Sequence, residues 1–358
     1  MFLIISVLMQ TCLNFVIFSY GLWYFLIDVL YLFLPFGLIP TAIIFVTLVI
    51  FKVPKPSNSQ LERIVGRELY LENGADDRPA MRTVGHRGAG LDAPENSLAA
   101  FKICEEKNCS YVEFDITLTK DLVPVVFHDT TLERTANVKL KVKDITYAEL
   151  MEIDIAMNHP FKEKFRNTKV PTLEETVVLL LNSKLNMFID LKYHDYRNFF
   201  QIVKVVNDLF VKYPELHHRA VVSSFYPSLI YLIRRNNPKI VCSIAYRPYF
   251  FSYSGYMFPE GLGRRRARFL PKHLVNLMVD KLHSWLLPKV TYYVTGISLI
   301  LLHKDFMSAD VVMNWRRKGV RVCAWTVNHP AEKQYCSKIL KIAYFTDTLV
   351  GEGTAHAN

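Results

Sequence analysis

Cysteine is sparse and unpatterned: the six residues stand at 12, 104, 109, 242, 323 and 336, and no CxxC pair occurs. Neither a zinc module nor a CxxC redox motif is signalled. Cys104 and Cys109 are close enough for a disulfide, although buried free thiols are the expected state. Asn108-Cys109-Ser110 is the only N-x-S/T acceptor, a match at chance level. No internal repeat is evident. Acidic residues are outnumbered 33 to 43, which leaves a net charge of +10. The basic residues do not interleave with aromatics as in single-strand binders, so nucleic acid is not an expected partner. Charge almost vanishes from residues 2–51, where Asp28 stands alone.

That run far exceeds the ~20 apolar residues needed to cross a bilayer. It offers breaks near Gly21 and Pro35, so one long anchor or two spans joined by a short turn are both open. A cleaved signal peptide would carry a basic n-region and a shorter apolar run. The expectation is therefore an integral membrane protein, of the endomembrane system or the plasma membrane. Lys52 and Lys55 weakly favour a cytoplasmic C-terminal flank.

Residues 52–80, rich in Pro, Ser, Asn and charge, read as a linker or surface arm. From Met81 to about residue 350, short β-branched runs alternate with helical patterns. Strands are expected at 82–86, 111–117, 187–192, 220–225, 239–245, 293–299, 321–327 and 342–347. Helices are expected at Glu95–Lys107, Leu173–Leu181, Phe199–Tyr213, Pro227–Asn236, Ala309–Lys318 and Pro330–Ile339. Eight strand–helix units predict an α/β fold, a TIM-type (β/α)8 barrel behind an N-terminal transmembrane anchor. Val123–Phe127 follows the second strand too closely for a parallel crossover, so the two form an antiparallel hairpin. Residues 118–170 then make a small insertion after strand two, on the face where barrels carry their active sites. A second insertion, 247–292, contains Arg264, Arg265, Arg266 and Arg268, then an apolar stretch, Phe269–Leu287, with embedded charges. Anionic lipid headgroups account for the basic run better than DNA does. The charge cost of a span, ~2.5–3.5 kcal/mol per residue, favours a segment lying on the membrane.

Glu113 and Asp115, two apart on a strand, share a face. Two inward carboxylates would repel unless a cation sat between them. Asp190 at the end of the next strand is the natural third ligand, and all-oxygen ligation suits Mg²⁺ first and Ca²⁺ second. Lys192 shares the face of Asp190 and offers a cation for phosphate. His86 and His128 stand near strand ends beside charged neighbours, Arg87 and Asp129, and suit an acid/base pair. Arg87 can grip a phosphate with two N–H groups.

The ordered motifs His86-Arg87-Gly88, Ala93-Pro94-Glu95-Asn96-Ser97, Val112-Glu113-Phe114-Asp115-Ile116 and Val126-Phe127-His128-Asp129 resemble the glycerophosphodiester phosphodiesterase family. Further landmarks match in order: Pro171 to Glu175, Ile189-Asp190-Leu191-Lys192, Ser223-Ser224-Phe225, Ala324 to Asn328 and Phe345-Thr346-Asp347. The likeness covers residues 82 to about 350, and the anchor and basic insertion make the chain similar to the animal membrane-bound branch. The resemblance implies a TIM-type barrel with metal ligands at Glu113, Asp115 and Asp190 and acid/base histidines at His86 and His128. It implies phosphate contacts at Arg87 and Lys192, a pocket aromatic at Trp325 and a supporting role for Glu95. Many members have Glu where this chain has Asp190, which is one methylene shorter.

The activity so implied is metal-dependent hydrolysis of a glycerophosphodiester to glycerol 3-phosphate and an alcohol, with lysolipid glycerophosphodiesters as further candidate substrates beside soluble ones. Two alternatives stand beside it. One is a lysophospholipase D on membrane lysolipids, which an apolar groove at the barrel mouth would favour. The other is a catalytically inactive membrane scaffold, which loss of a metal carboxylate or histidine would have indicated. No protein partner is signalled.

Overall fold

The computed structural model describes residues 2–71, 80–192, 198–257 and 260–352. The chain forms two compact units, Met1–Lys52 and Val53–Asn358. The first is one helix, α1 (Phe2–Phe51). It runs without a break through Gly21 and Pro35, so the two-span arrangement with an intervening turn is not found. At ~1.5 Å per residue it is about 75 Å long, and its length and composition suffice to cross a bilayer.

The second unit opens with α2 (Asn58–Val65), capped by the Ser57 hydroxyl on the Gln60 N–H. Here the expectation of a linker over 52–80 is corrected. Leu61, Ile64 and Val65 are buried against Val84, Tyr111, Leu299 and Ala343 at the floor of the barrel. An amphipathic helix of about two turns is short enough to hide among charges, yet burying three aliphatic side chains contributes about 1.5–3 kcal/mol each. Residues 72–79 of that segment lie outside the described residues.

The strands are β1 (Thr83–Gly85), β2 (Tyr111–Leu118), β3 (Pro124–Val126), β4 (Asn186–Leu191), β5 (Ala220–Ser224), β6 (Cys242–Tyr246), β7 (Tyr256–Met257), β8 (Gly261–Leu262), β9 (Leu299–His303), β10 (Arg321–Trp325) and β11 (Ala343–Thr346). The sheet order is β1-β11-β10-β9-β6-β5-β4-β2-β3, and β1 also pairs with β2. Eight parallel strands thus close a barrel, with β3 appended to β2 as the expected antiparallel hairpin. Helices cover the outside, among them α3 (Leu98–Glu106), with its N–H of Ala100 capped by Ser97.

Alternation along the strands sorts the side chains. Val112, Phe114 and Ile116 pack outward against the helices, in one cluster with Met187, Ile189, Val222 and Ile300. Phe188, Val221, Leu301, Cys323 and Phe345 fill the barrel interior with Tyr111. Above that layer the inward positions become polar, which is where the site begins. The insertion after β2 carries α4 (Glu133–Ala136), α5 (Tyr147–Met151) and its own core of Val125, Phe127, Leu132, Leu150 and Val170.

The sixth barrel strand was expected at 293–299 and lies at Leu299–His303 instead. The run Tyr292–Thr295 is helical and is stopped by Gly296 in the left-handed region (φ 61). β-Branched Val294 and Thr295 mimic a strand start, but the residues buried between neighbouring strands begin later. A Cβ at Gly296 would run into the Val53 carbonyl. Gly296→Ala is therefore expected to cost at least about 2 kcal/mol from the left-handed conformation and the clash, read as a lowered unfolding midpoint in denaturant.

The second insertion holds the β7–β8 hairpin and a 17-residue helix, here α6 (Leu270–Leu286) after the barrel helices. Its residues 258–259 lie outside the described residues. Among the described residues this helix is not a candidate span; α1 alone is.

Candidate active site

Glu113, Asp115 and Asp190 meet at the C-terminal mouth of the barrel. Asp115 and Asp190 are register partners across β2 and β4, and Asp190 is the partner of Ser223 on β5. All three carboxylates are buried, and one oxygen from each lies within 4.8 Å of the others. Two cations face these three anions. Lys192 Nζ stands 2.5 Å from Asp190 Oδ2 and 2.9 Å from Asp115 Oδ1, and Arg87 Nε is 3.4 Å from Asp115 Oδ2. Ser223 Oγ donates to Asp190 Oδ1 (2.8 Å) and the Arg87 backbone N–H to Glu113 Oε2 (2.9 Å).

Burial alone would raise all of these carboxyls. At Asp115 the nearby Lys192, His128 and Arg87 outweigh it and hold the group well below the usual carboxylate range. At Glu113 burial is reinforced by Asp115 and Asp190, and the carboxyl is pushed up to about 8. Asp115 Oδ1 is buried and meets only the Lys192 ammonium, in an ion pair rather than a well-directed hydrogen bond, and Arg87 Nε beside it likewise has no hydrogen-bond acceptor. Three buried carboxylates that converge in this way, with a buried Asp115 oxygen left without a hydrogen bond, fit a hard divalent cation.

His86 and His128 each turn Nδ1 to a carboxylate. His86 meets Asp347 Oδ1 and His128 meets Asp129 Oδ1, both at 2.6 Å. His86 Nε2 lies 3.8 Å from Glu113 Oε2. Burial pulls both imidazoles down. At His86 the Asp347 and Glu113 charges overcome it and the net shift is upward. At His128 burial is joined by Arg87 and Lys192 and the net shift is downward.

Asp347, just past the last strand, orients His86 and is itself fixed by Asn328, whose Nδ2 donates to Asp347 Oδ2 (2.8 Å). Burial raises the Asp347 carboxyl, but His86 and Asn328 prevail and bring it from 3.8 to about 2. A folded pKa below the unfolded one gives stability that is complete above about pH 4 and lost as pH falls toward 2. Asp347→Asn is thus expected to cost on the order of 2 kcal/mol at neutral pH and nothing at the acid limit, by urea unfolding across that range.

Two supporting residues were given no role by the sequence, although Asn96 lies within the Ala93–Ser97 motif. Asn96, in the left-handed region (φ 57), exchanges two hydrogen bonds with Asp115, side chain to side chain (2.8 Å) and Asp115 N–H to Asn96 Oδ1 (3.1 Å). Arg134, on α4 of the insertion, binds both oxygens of Glu95 (2.6 and 2.7 Å) and Asp129 Oδ2 (2.7 Å). Glu95 also accepts from Arg87 (3.0 Å). An unbroken polar chain therefore runs Arg87–Glu95–Arg134–Asp129–His128. Arg134→Ala is expected to lower activity about 10–100-fold, the usual scale for groups that orient catalytic side chains, while Arg134→Lys restores little because it loses the two-pronged contact; steady-state rates decide.

His86, Arg87, Glu113, His128, Asp129, Asp190 and Lys192 line a cavity of about 550 Å³. Its far wall is aromatic: Phe225 and Phe250 stack at 4.4 Å and 11°, and Trp325 meets Phe225 edge-on at 5.3 Å. Trp325 donates its indole N–H to the Leu301 carbonyl (3.0 Å). Every residue singled out in the sequence is thus at this one mouth, including Glu95 just behind it.

A closed (β/α)8 barrel with such a mouth defines a hydrolase-type barrel enzyme. Residues 86–350 match the model of the glycerophosphoryl diester phosphodiesterase family, and the chain belongs to that family and to its animal branch; it is an enzyme of phosphodiester hydrolysis. It is 33% identical over 279 residues to glycerophosphodiester phosphodiesterase 1 of Homo sapiens, covering 78% of this chain and 81% of that protein. The corresponding Bos taurus protein is 34% identical over 277 residues, with 77% and 81% covered. The fold is shared with an Oleispira antarctica phosphodiesterase solved in complex with the product sn-glycerol-3-phosphate (TM-score 0.56, 19% identity, 76% of this chain and 96% of that one). It is shared likewise with a glycerophosphodiester phosphodiesterase from Agrobacterium tumefaciens (TM-score 0.54, 20% identity, 75% and 96% covered).

Proposed function

We propose that the protein hydrolyses glycerophosphodiesters to glycerol 3-phosphate and an alcohol. The observation that carries this reading is the buried carboxylate triad set between two histidines, each paired with its own carboxylate. Glu113, Asp115 and Asp190 would hold a divalent cation, Mg²⁺ ahead of Ca²⁺, which would supply Lewis-acid polarisation and charge neutralisation at the phosphodiester. Arg87 and Lys192 grip the non-bridging oxygens. One histidine takes a proton from the attacking oxygen through Nε2, and the other returns a proton to the departing alkoxide. Asp347 and Asp129 hold the two rings in the tautomers this needs. Trp325 and Phe225 pack against the carbon skeleton, and Glu95 fixes Arg87.

In this reading residues 1–51 anchor the enzyme in an endomembrane or the plasma membrane. The barrel is its catalytic domain, with modules 118–170 and 247–292 at the mouth. The aromatic wall favours a second substrate form, a lysophospholipid whose acyl chain lies along Phe225, Tyr226 and Phe250; its hydrolysis would be the lysophospholipase D reaction. Product analysis by mass spectrometry, with glycerophosphoinositol and a lysophospholipid as substrates, tests both. Release of glycerol 3-phosphate supports the first form and release of lysophosphatidic acid the second; neither product from folded protein would overturn the proposal.

A further inference from the structure

The helix α6 of the second insertion is built inside out. Its inward face is polar. Asp280 accepts the backbone N–H groups of Phe251 and Ser252 (2.9 Å each), and Asn276 donates to the Phe251 carbonyl (3.0 Å). His273 is buried edge-on against Tyr253 (5.2 Å). The outward face is apolar: Leu274, Met278, Leu282 and Trp285 recur at helical spacing beside Phe269, and all are more than half exposed. A surface helix of a water-soluble body has these faces the other way round.

The charges flanking the apolar stripe are of one sign. From Gly261 to His303 the only acidic residue is Asp280, which is buried. The same stretch exposes Arg264, Arg265, Arg268, Lys272, Lys281 and Lys289. Lys289 Nζ sits 4.3 Å from the Trp285 ring centre, a pairing suited to the headgroup level. A second copy docking through this face in two-fold fashion would bring like charges together. An anionic lipid surface neutralises them, and the long Lys and Arg stems reach the headgroups while the apolar stripe sinks below.

The face is also continuous with the catalytic mouth. The loop that Asp280 and Asn276 pin, Phe250–Ser252, carries the Phe250 ring stacked on Phe225 in the cavity wall. Arg266 donates to the Phe250 carbonyl (2.9 Å) and its guanidinium lies 5.1 Å from that ring. We infer that the outer face of Leu270–Leu286 docks on an anionic bilayer and sets the mouth of the cavity at the lipid surface. Access of a lysolipid from that surface rests on the function proposed above; the docking itself does not.

The test uses the full chain in liposomes of phosphatidylcholine with and without phosphatidylserine. Cys12 is the only exposed cysteine, so Cys12→Ser with Met278→Cys takes a single environment-sensitive fluorophore. Cys12→Ser with Val211→Cys, on the exposed end of the helix Phe199–Lys212, is the control. Docking predicts a blue-shifted label at 278, quenched by spin-labelled acyl chains and more so with phosphatidylserine, and an unshifted label at 211. A water-exposed label at 278 overturns the inference. So does a blue shift without lipid quenching but with energy transfer between differently labelled copies, which would make the face a self-association surface. In a second arm, Met278→Asp with Leu282→Asp is expected to cut turnover of a bilayer-borne lysophospholipid at least roughly tenfold by removing two inserted side chains. Turnover of soluble glycerophosphoinositol should be unchanged; an equal loss on both substrates counts against docking. If the unsubstituted enzyme turns over neither substrate, the function proposal fails while the label still decides the docking.

Discussion

His86→Ala is expected to lower kcat by about 10²–10⁴-fold, the span typical for loss of one acid/base group. His128→Ala should fall in the same range, and the double variant should be little worse than either single one, because the two act in one reaction. The His86 change also leaves Asp347 short of its partner at 2.6 Å. A stability loss of about 1–3 kcal/mol should therefore accompany it, which makes a folding control by circular dichroism part of the measurement. Rates of glycerophosphodiester cleavage near neutral pH check the expectation; a variant retaining more than about a tenth of the activity would remove His86 from proton transfer.

Glu113→Gln should act on stability in the opposite direction. Glu113 is pushed up to about 8 by burial and by Asp115 and Asp190. A carboxyl whose folded pKa lies above its unfolded one costs stability as pH rises from its ordinary value of 4.5 through 8. Without a cation the neutral glutamine is therefore expected to raise the melting temperature at pH 7, and its side-chain oxygen can still accept from the Arg87 N–H. With Mg²⁺ the order should reverse. The unsubstituted protein gains RT ln(1 + [L]/Kd), about 2.7 kcal/mol at a hundredfold excess over Kd, and the variant gains little. Thermal unfolding in chelator and in Mg²⁺ reads both signs at once. A melting temperature that neither rises in the variant nor responds to metal would take Glu113 out of the cation site.

The residues that could be read from the sequence were those whose geometry is local. Glu113 and Asp115 face inward because a strand alternates, and Asp190 joins them because parallel neighbours share a level at the barrel mouth. The β2–β3 hairpin followed from the few residues available to connect its strands. What was hidden depends on distant packing. Asp347 reaches His86 from the last strand, 261 residues away. Arg134 reaches Glu95 and Asp129 only because the insertion has its own core that fixes α4 at the mouth. Helix α2 looked like linker since five of its eight residues are charged or polar; the three buried aliphatics make it the barrel floor. The sixth strand was displaced because Val294 and Thr295 favour a strand intrinsically while Gly296 ends a helix there. The insertion helix looked amphipathic in the sequence, but that its polar face is the buried one follows only from where Asp280 and His273 pack.

The most direct test of the account is cleavage of glycerophosphoinositol by the purified full chain in Mg²⁺, in Ca²⁺ and in chelator, beside His86→Ala and Glu113→Gln. The account predicts release of glycerol 3-phosphate that chelator abolishes, that added Mg²⁺ restores, and that both substitutions remove. Turnover that persists in chelator, or that exceeds about a tenth of the unsubstituted rate in either variant, would contradict the assignment of the reaction to the carboxylate triad and its two histidines.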